Sequence, residues 1–158
     1  MDELIEKHLY HKKPNLLLEH VIEIDSTGIK TSFYLGEDHP LIQGHFPGIS
    51  VFPGTQMMEM LVQSAGIHMA HEHYPKHREE KLAVGVFRRC IQAKFQSFAR
   101  PGQDITACVK ETGNVDNLYT YSGRVMNSKA ENLMICRFSL ITIHEAVLEG
   151  HTCHWSPF

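Results

Sequence analysis

The chain has 158 residues, which suits one domain with a sizeable hydrophobic core or at most two very small ones. Apolar residues make up 42% and charged residues 21%, so a largely disordered chain is excluded. The net charge of −3 excludes a generally basic nucleic-acid binder, and no nucleic-acid partner is expected. Histidine is the unusual residue type, because its 12 copies can signal metal binding, pH sensing or catalysis.

The sequence shows no pattern of export or membrane insertion. Its N-terminus, MDELIEKHLY, lacks the apolar run of a signal peptide. No stretch approaches the roughly 18 apolar residues of a membrane-spanning helix. The four cysteines show no CxxC pairing, and a reducing compartment is the default expectation. We therefore expect a cytoplasmic protein without a membrane span.

The first elements predicted along the chain are a short helix and a hairpin. Residues 2–10 predict a helix within an N-terminal segment, residues 1–13, that Pro14 ends. Residues 15–25 are rich in Leu, Ile and Val and predict a strand. Residues 29–35 alternate apolar and polar side chains, which predicts a second strand after the turn Ser26-Thr27-Gly28.

A loop rich in Gly and Pro, residues 36–54, leads into a long helix. The composition of this loop is compatible with either an ordered loop of fixed shape or a flexible loop. Residues 55–73 predict a helix that is apolar nearly all round and therefore buried on most sides. One narrow polar stripe runs along that helix, and its members are Gln56, Glu59, Gln63 and Gly66.

The remainder of the sequence is rich in strands. Residues 82–98, 105–111, 118–126 and 133–143 carry β-type patterns, and the last of these is so apolar that it should lie inside the sheet. We expect a single α+β domain over residues 1–158, in which one sheet of about six strands wraps one long buried helix. The C-terminal tail, residues 145–158, fits no element.

Three features near the start of the long helix carry the chemistry. His45 lies in the Gly/Pro loop, and Glu59 follows it on the buried helix, where burial should raise the pKa of its carboxyl and suit it as an acid. Between them is Gly54, at a helix N-terminus whose free N–H groups can bind a carbonyl oxygen on which negative charge develops. A histidine base, a carboxyl acid and an oxyanion donor together suit proton abstraction beside a carbonyl group.

The run from Gln43 to Gln63, QGHFPGISVFPGTQMMEMLVQ, resembles the 3-hydroxyacyl-acyl carrier protein dehydratases of the FabZ/FabA type. That family's signature is a GHFPG loop, a Pro-Gly step, and then an acidic residue and a glutamine on the central helix. The matching positions are His45, Phe46, Pro47, Gly48, Pro53, Gly54, Glu59 and Gln63. Glutamate rather than aspartate at position 59 favours the FabZ-like branch, and the resemblance extends over about residues 14–143.

The resemblance implies a hotdog fold, in which a curved antiparallel sheet surrounds the central helix. It implies a homodimer, which can assemble further into a trimer of dimers. The two active sites would lie at the dimer interface, so that His45 of one chain faces Glu59 of the other. The family also implies a cis peptide bond between His45 and Phe46. No cofactor or metal is implied.

The resemblance further implies a lyase that dehydrates a 3-hydroxyacyl-acyl carrier protein to the trans-2-enoyl product, in fatty acid synthesis or a related lipid or polyketide-like pathway. His45 would remove the proton from C2, and Glu59 would protonate the departing C3 hydroxyl, directly or through water. The Gly54 N–H would polarise the thioester carbonyl. The Val51 carbonyl would fix the His45 tautomer, and Gln63 would orient Glu59.

A local basic stretch stands out in this acidic chain. It could be a solvated strand face, or it could dock the acidic acyl carrier protein by electrostatic steering. Its members are Arg88, Arg89, Lys94 and Arg100.

The other histidines cluster at the helix end and in the tail. Surface electrostatics at a helix C-terminus is the favoured interpretation of the first group, with a metal site as the alternative, and zinc in the tail is disfavoured. The residues concerned are His68, His71, His73 and His77 at the helix end, and His151, Cys153 and His154 in the tail.

Two other function classes stay open from the sequence. Hotdog thioesterases, which are hydrolases, also use a carboxylate on the central helix but do not need the histidine of the GHFPG loop. A non-catalytic acyl-binding subunit is the third possibility, and the retained pair of His45 and Glu59 argues against it.

Overall fold

A six-stranded antiparallel sheet and one long helix are the main elements of the computed structural model, which describes residues 2–74 and 83–144. The helices are α1 (Glu3–His8) and α2 (Gly54–His73), with a short 3-10 turn at Pro40–Ile42. The strands are β1 (His20–Asp25), β2 (Gly28–Leu35), β3 (Ala83–Phe95), β4 (Gln103–Val115), β5 (Leu118–Met126) and β6 (Asn132–His144).

The order of strands across the sheet is β1-β2-β4-β5-β6-β3, and every neighbouring pair is antiparallel. β6 lies between β5 and β3, which confirms that the most apolar strand is an interior one. β3 is an edge strand. It leaves three large apolar side chains partly exposed to solvent, namely Phe87, Ile91 and Phe95.

Helix α2 packs against all six strands of this sheet and is buried along most of its length. Met60, Leu61, Ala65 and Ile67 have no exposed surface, as the all-round apolar sequence predicts. The helix approaches the sheet closely at Gly123, where an added Cβ would lie 2.9 Å from the Leu61 side chain. One sheet wrapped around one buried helix is the α+β hotdog arrangement, and the predicted fold class is confirmed.

The N-terminal part differs from the sequence prediction. Helix α1 is shorter than residues 2–10. Asp2 is its N-cap, whose side chain accepts a hydrogen bond from Leu4 N at 3.1 Å, and Leu9, with an extended backbone, is its C-cap. The first strand begins at His20, so residues 15–19 are not its start. Leu16, Leu17 and Leu18 are buried instead as an irregular segment in the core. Burial of an apolar run does not require a strand, provided its backbone finds other partners.

The described residues also test the predicted surface role of the histidines at the helix end, and for His68 that prediction is wrong. Its side chain has no exposed surface. Its Nε2 donates to the Asp25 carbonyl over 3.0 Å, which leaves Nδ1 to accept from the Tyr121 hydroxyl at 3.3 Å. His73 is nearer the surface and pairs with Glu111 at 2.7 Å. Within the described ranges no group of side chains could hold a metal ion.

Other sequence predictions fall outside residues 2–74 and 83–144. The tail, residues 145–158, with its His151, Cys153 and His154, belongs there, and so does His77. No helix in the part of the chain that the structure describes is long and apolar enough to cross a bilayer.

Buried His68 makes stability depend on pH. Burial lowers its pKa, so the unfolded chain takes up a proton on His68 at a pH at which the folded core still resists it. We predict that the free energy of unfolding falls as the pH is lowered from about 7 to about 5. The slope from this group is at most about 1.4 kcal/mol per pH unit.

Urea unfolding at fixed protein concentration across this pH range checks the prediction. His68→Gln keeps an amide donor for Asp25 but cannot be protonated, so its pH slope should be smaller than that of the wild type. His20→Gln, at an exposed position on β1, is the matched control and should keep the wild-type slope. Equal slopes for the wild type and His68→Gln would contradict the prediction.

Candidate active site

The Gly/Pro loop before α2 is ordered by its own backbone hydrogen bonds. Phe46 and Ile49 exchange two of them, at 2.7 and 3.0 Å, which closes a tight turn. His45 N donates to Ile42 O at 3.1 Å, and Val51 N donates to His45 O at 3.0 Å. The loop is therefore an ordered loop of fixed shape, because each of these hydrogen bonds fixes the backbone that carries His45.

Glycine is required on both sides of His45. Gly44 has φ +80° and Gly48 has φ +78°, values in the left-handed region that glycine adopts without a steric cost. The peptide bond between His45 and Phe46 is cis, which confirms the expectation drawn from the family resemblance. The two aromatic rings stack with their centroids 4.3 Å apart.

The end of the loop is anchored where α2 begins. Phe52 is buried, and its N–H donates to the Ala99 carbonyl at 2.8 Å. Gly54 is the first residue of α2, and its N–H has no recorded acceptor within residues 2–74 and 83–144. An added Cβ at Gly54 would lie 2.6 Å from the ring of Phe95, so glycine lets this partly exposed ring lie directly against the helix start. The arrangement leaves an amide donor beside an apolar wall.

Glu59 lies one and a half turns into α2 and is held by Gln63. Gln63 is almost completely buried, and its Nε2 donates to Glu59 Oε1 at 2.8 Å and to the Asn15 carbonyl at 2.7 Å. Its Oε1 accepts from Leu17 N at 3.0 Å. The same amide therefore fixes the carboxylate and fastens the N-terminal segment to the helix.

Glu59 has a second partner that is not predicted from the sequence. His11, on the segment between α1 and β1, places Nε2 3.3 Å from Glu59 Oε1. Both side chains are partly open to solvent, at 40% for His11 and 36% for Glu59. No motif marks His11 in the sequence, where it is one of 12 histidines, and only folding of the N-terminal segment onto α2 brings it to the site.

The ionisation of Glu59 also differs from the expectation that burial would raise its pKa. The hydrogen bond with His11 lowers the pKa of this carboxyl most strongly, and the bond from Gln63 lowers it further. Burial opposes both effects but is outweighed. Glu59 is therefore an ionised, hydrogen-bonded carboxylate in the resting chain at neutral pH.

The structure also describes His45, Val51 and the four basic residues predicted from the sequence. No hydrogen bond or ion pair recorded among the described residues joins His45 to Glu59 within one chain. The bond recorded between Val51 and His45 is a backbone one, from Val51 N, whereas the role given to the Val51 carbonyl stays a proposal. The four basic residues all lie exposed on or just beyond β3, and they are Arg88, Arg89, Lys94 and Arg100.

Comparison with protein families decides the class of this site. The family model ApeI-like, described as ApeI dehydratase, matches residues 21–131, which include the His45 loop and the Glu59 helix. The chain belongs to the ApeI-like dehydratase family. As a dehydratase, it is an enzyme of the hydro-lyase class.

Individual relatives of this ApeI-like dehydratase agree with that assignment. The 3-hydroxyacyl-[acyl-carrier-protein] dehydratase FabZ of Caldanaerobacter subterraneus subsp. tengcongensis is 32% identical over 105 residues, covering 64% of this chain and 69% of that relative. The dehydratase heterocomplex ApeI:P from Xenorhabdus doucetiae superposes with a TM-score of 0.75 at 17% identity, covering 92% of this chain and 94% of that one.

The fold alone does not separate dehydratases from other hotdog proteins. A hypothetical thioesterase with coenzyme A from Streptococcus pneumoniae TIGR4 superposes with a TM-score of 0.62 at 7% identity, covering 79% of this chain and 85% of that one. At these identities the structural likeness shows the fold only. The family assignment therefore depends on the sequence match.

We predict that Gln63→Leu lowers the free energy of unfolding by about 2 kcal/mol or more, because it leaves the buried Leu17 amide and the Asn15 carbonyl without their partner. Urea unfolding measures the loss. Gln56→Leu, on the same helix stripe, is the matched control and should change the free energy by less than about 1 kcal/mol. A similar loss for both variants would show that Gln63 does not fasten the N-terminal segment.

Proposed function

We propose that this ApeI-like dehydratase removes water from a 3-hydroxyacyl thioester carried on acyl carrier protein, giving the trans-2-enoyl thioester in acyl-chain biosynthesis. The observation that carries the proposal is the hydrogen-bonded Glu59 on α2, which follows the ordered His45 loop in the sequence. Both lie within the region that matches a dehydratase family. The named substrate of the FabZ relative supports the choice of thioester.

The proposed chemistry assigns one proton to each side chain. His45 accepts the C2 proton, and the negative charge that develops on the thioester oxygen is stabilised by the Gly54 N–H at the start of α2. The C3 hydroxyl leaves as water after it receives a proton from Glu59. In this scheme Gln63 orients the carboxyl, and the Val51 carbonyl holds the tautomer of His45.

A second copy of the chain completes the site in this proposal. Within one chain no hydrogen bond or ion pair among the described residues joins His45 to Glu59. In the part of the chain that the structure describes, β3 has a free edge lined by Phe87, Ile91 and Phe95. Pairing of two β3 edges in a homodimer would cover these side chains and bring His45 of one copy to Glu59 of the other. Further assembly into a trimer of dimers is compatible with the same interface.

The basic residues on β3 suit the carrier protein as partner. Arg88, Arg89 and Lys94 lie exposed, and none of them is in an ion pair recorded for the described residues. Cations that are free of internal partners can steer an acidic protein to the site. We include Arg100 in this docking surface because it lies exposed just beyond the end of β3.

A product assay tests the proposal. Incubation with 3-hydroxyacyl-acyl carrier protein should give a product lighter by one water, measured by intact mass. A free acid would identify a thioesterase, and an unchanged substrate would identify an acyl-binding subunit; either would overturn the proposal. The variants His45→Ala and Glu59→Gln should each lower the dehydration rate by about 10²–10⁴-fold.

The shared site makes a quantitative prediction about mixed dimers. When His45→Ala and Glu59→Gln chains are co-refolded in equal amounts, half of the dimers should contain both variants and one intact site each. The mixture should therefore recover about a quarter of the wild-type rate in a two-fold symmetric dimer. Each variant refolded alone is the control. No recovery in the mixture would place both catalytic groups within one chain.

Charge reversal tests the docking surface. We predict that Arg88→Glu with Arg89→Glu lowers kcat/KM for the acyl carrier protein substrate by about tenfold or more at low salt, because steering of the acidic carrier is lost. Turnover of a small thioester analogue should be unchanged. Arg124→Glu, at an exposed position on β5, is the matched control. Equal losses on both substrates would assign the two arginines a structural role instead.

A further inference from the structure

Glu59 has a neighbour whose role the proposed reaction leaves unassigned. His11 Nε2 lies 3.3 Å from Glu59 Oε1, the same carboxylate oxygen that accepts the 2.8 Å bond from Gln63. A general acid needs a proton to give, and the resting carboxylate has two donors directed at one oxygen. The position of His11 therefore bears directly on where the proton for the leaving hydroxyl is stored.

The segment that carries His11 is fastened to α2 on both sides. Before it, Leu9 packs on the hydrophobic core, and its side chain lies 3.9 Å from the Cβ position of Gly66. After it, Gln63 bonds the Asn15 carbonyl and the Leu17 amide at 2.7 and 3.0 Å. His11 is thus held against the helix by its neighbours in the chain, unlike an ordinary ion pair between long, mobile surface side chains.

The charged groups around His11 come mainly from its own segment. Lys7, His8 and Tyr10 line the same cleft, whose other walls are α2 and β3. From α2, Glu59 pairs with His11, and the ring of His71 lies 6.4 Å from that of His8. β3 contributes the uncharged Val84 and Gly85 to the cleft. Among these neighbours Glu59 is the acidic one, so it is the natural acceptor for a proton held on His11.

We propose that His11 is a positioning residue that stores the acid proton of the reaction and passes it to Glu59. In each turnover the His11 Nε2–H bond breaks as Glu59 Oε1 takes up the proton, and the same proton then passes from the Glu59 carboxyl to the C3 hydroxyl, which leaves as water. His45 gains the C2 proton in the same turnover. Afterwards His45 releases its proton to solvent, and His11, which is 40% exposed, takes one up from solvent.

The lowered pKa of Glu59 supports this arrangement. A carboxylate that is ionised at neutral pH is a poor acid by itself, and His11 contributes most to that ionisation. The 3.3 Å contact between His11 Nε2 and Glu59 Oε1 provides the route by which that carboxylate regains a proton in each turnover.

The experiment compares full pH profiles of kcat for the wild type and His11→Gln. Glutamine keeps a donor for Glu59 but carries no exchangeable charge, so the acid must come from the carboxyl alone. We expect the descending limb to move to lower pH by about one unit or more, with kcat near pH 7 reduced by about tenfold or more and KM unchanged. His20→Gln is the matched control and should keep the wild-type profile.

A second measurement does not depend on turnover. The pKa of Glu59, followed through its carboxyl carbon by NMR, should rise in His11→Ala because the strongest contribution to its lowering is removed. An unchanged pKa of Glu59 would overturn the proposed coupling. This measurement also shows whether an inactive variant has kept its fold.

The inference rests on the proposed dehydration, and the two fail differently. If the wild type yields enoyl product and His11→Gln keeps the descending limb of the wild type, the role of His11 is overturned while the dehydratase function stands. If the wild type itself yields no enoyl product, the proposed function is overturned and the role of His11 with it.

Discussion

The buried amide of Gln63 is the interaction on which this structure depends most. It bonds the Asn15 carbonyl, the Leu17 amide and the Glu59 carboxylate at once, all within 3.0 Å. A buried amide is stable only when its donors and acceptor are satisfied, so loss of any one partner affects the others. The packing of the N-terminal segment and the orientation of the candidate acid Glu59 therefore depend on the same side chain.

Local periodicity was sufficient to predict the framework of the fold. Alternation in β2 and the continuous apolar run of β6 each report how a strand is buried, and the all-round apolar surface of α2 reports a central helix. The segment before β1 shows a structure that local periodicity does not predict. Leu16, Leu17 and Leu18 are as apolar as a buried strand, yet their backbone is satisfied partly by a side chain of α2, which local pattern does not reveal.

The candidate site likewise contains residues that the sequence reveals and one that it does not. His45, Gly54 and Glu59 could be found because the chemistry needs those residue types at short, fixed spacings. His11 could not, because it is far from Glu59 in the sequence and meets it only after α1 has folded onto α2. The expected rise in the pKa of Glu59 was wrong for the same reason, since burial was visible in the sequence and the opposing hydrogen bond from His11 was not.

The free edge of β3 has a consequence beyond dimer formation. In the described part of the chain, the side of this thirteen-residue strand that faces away from β6 has unpaired backbone groups and partly exposed aromatic rings, and an extended chain could add to it. Charged side chains along an edge oppose such addition, and β3 carries Arg88, Arg89 and Lys94 among its apolar residues. These cations act as gatekeepers against aggregation, so neutral residues at these positions would cost solubility, whereas acidic ones would preserve it.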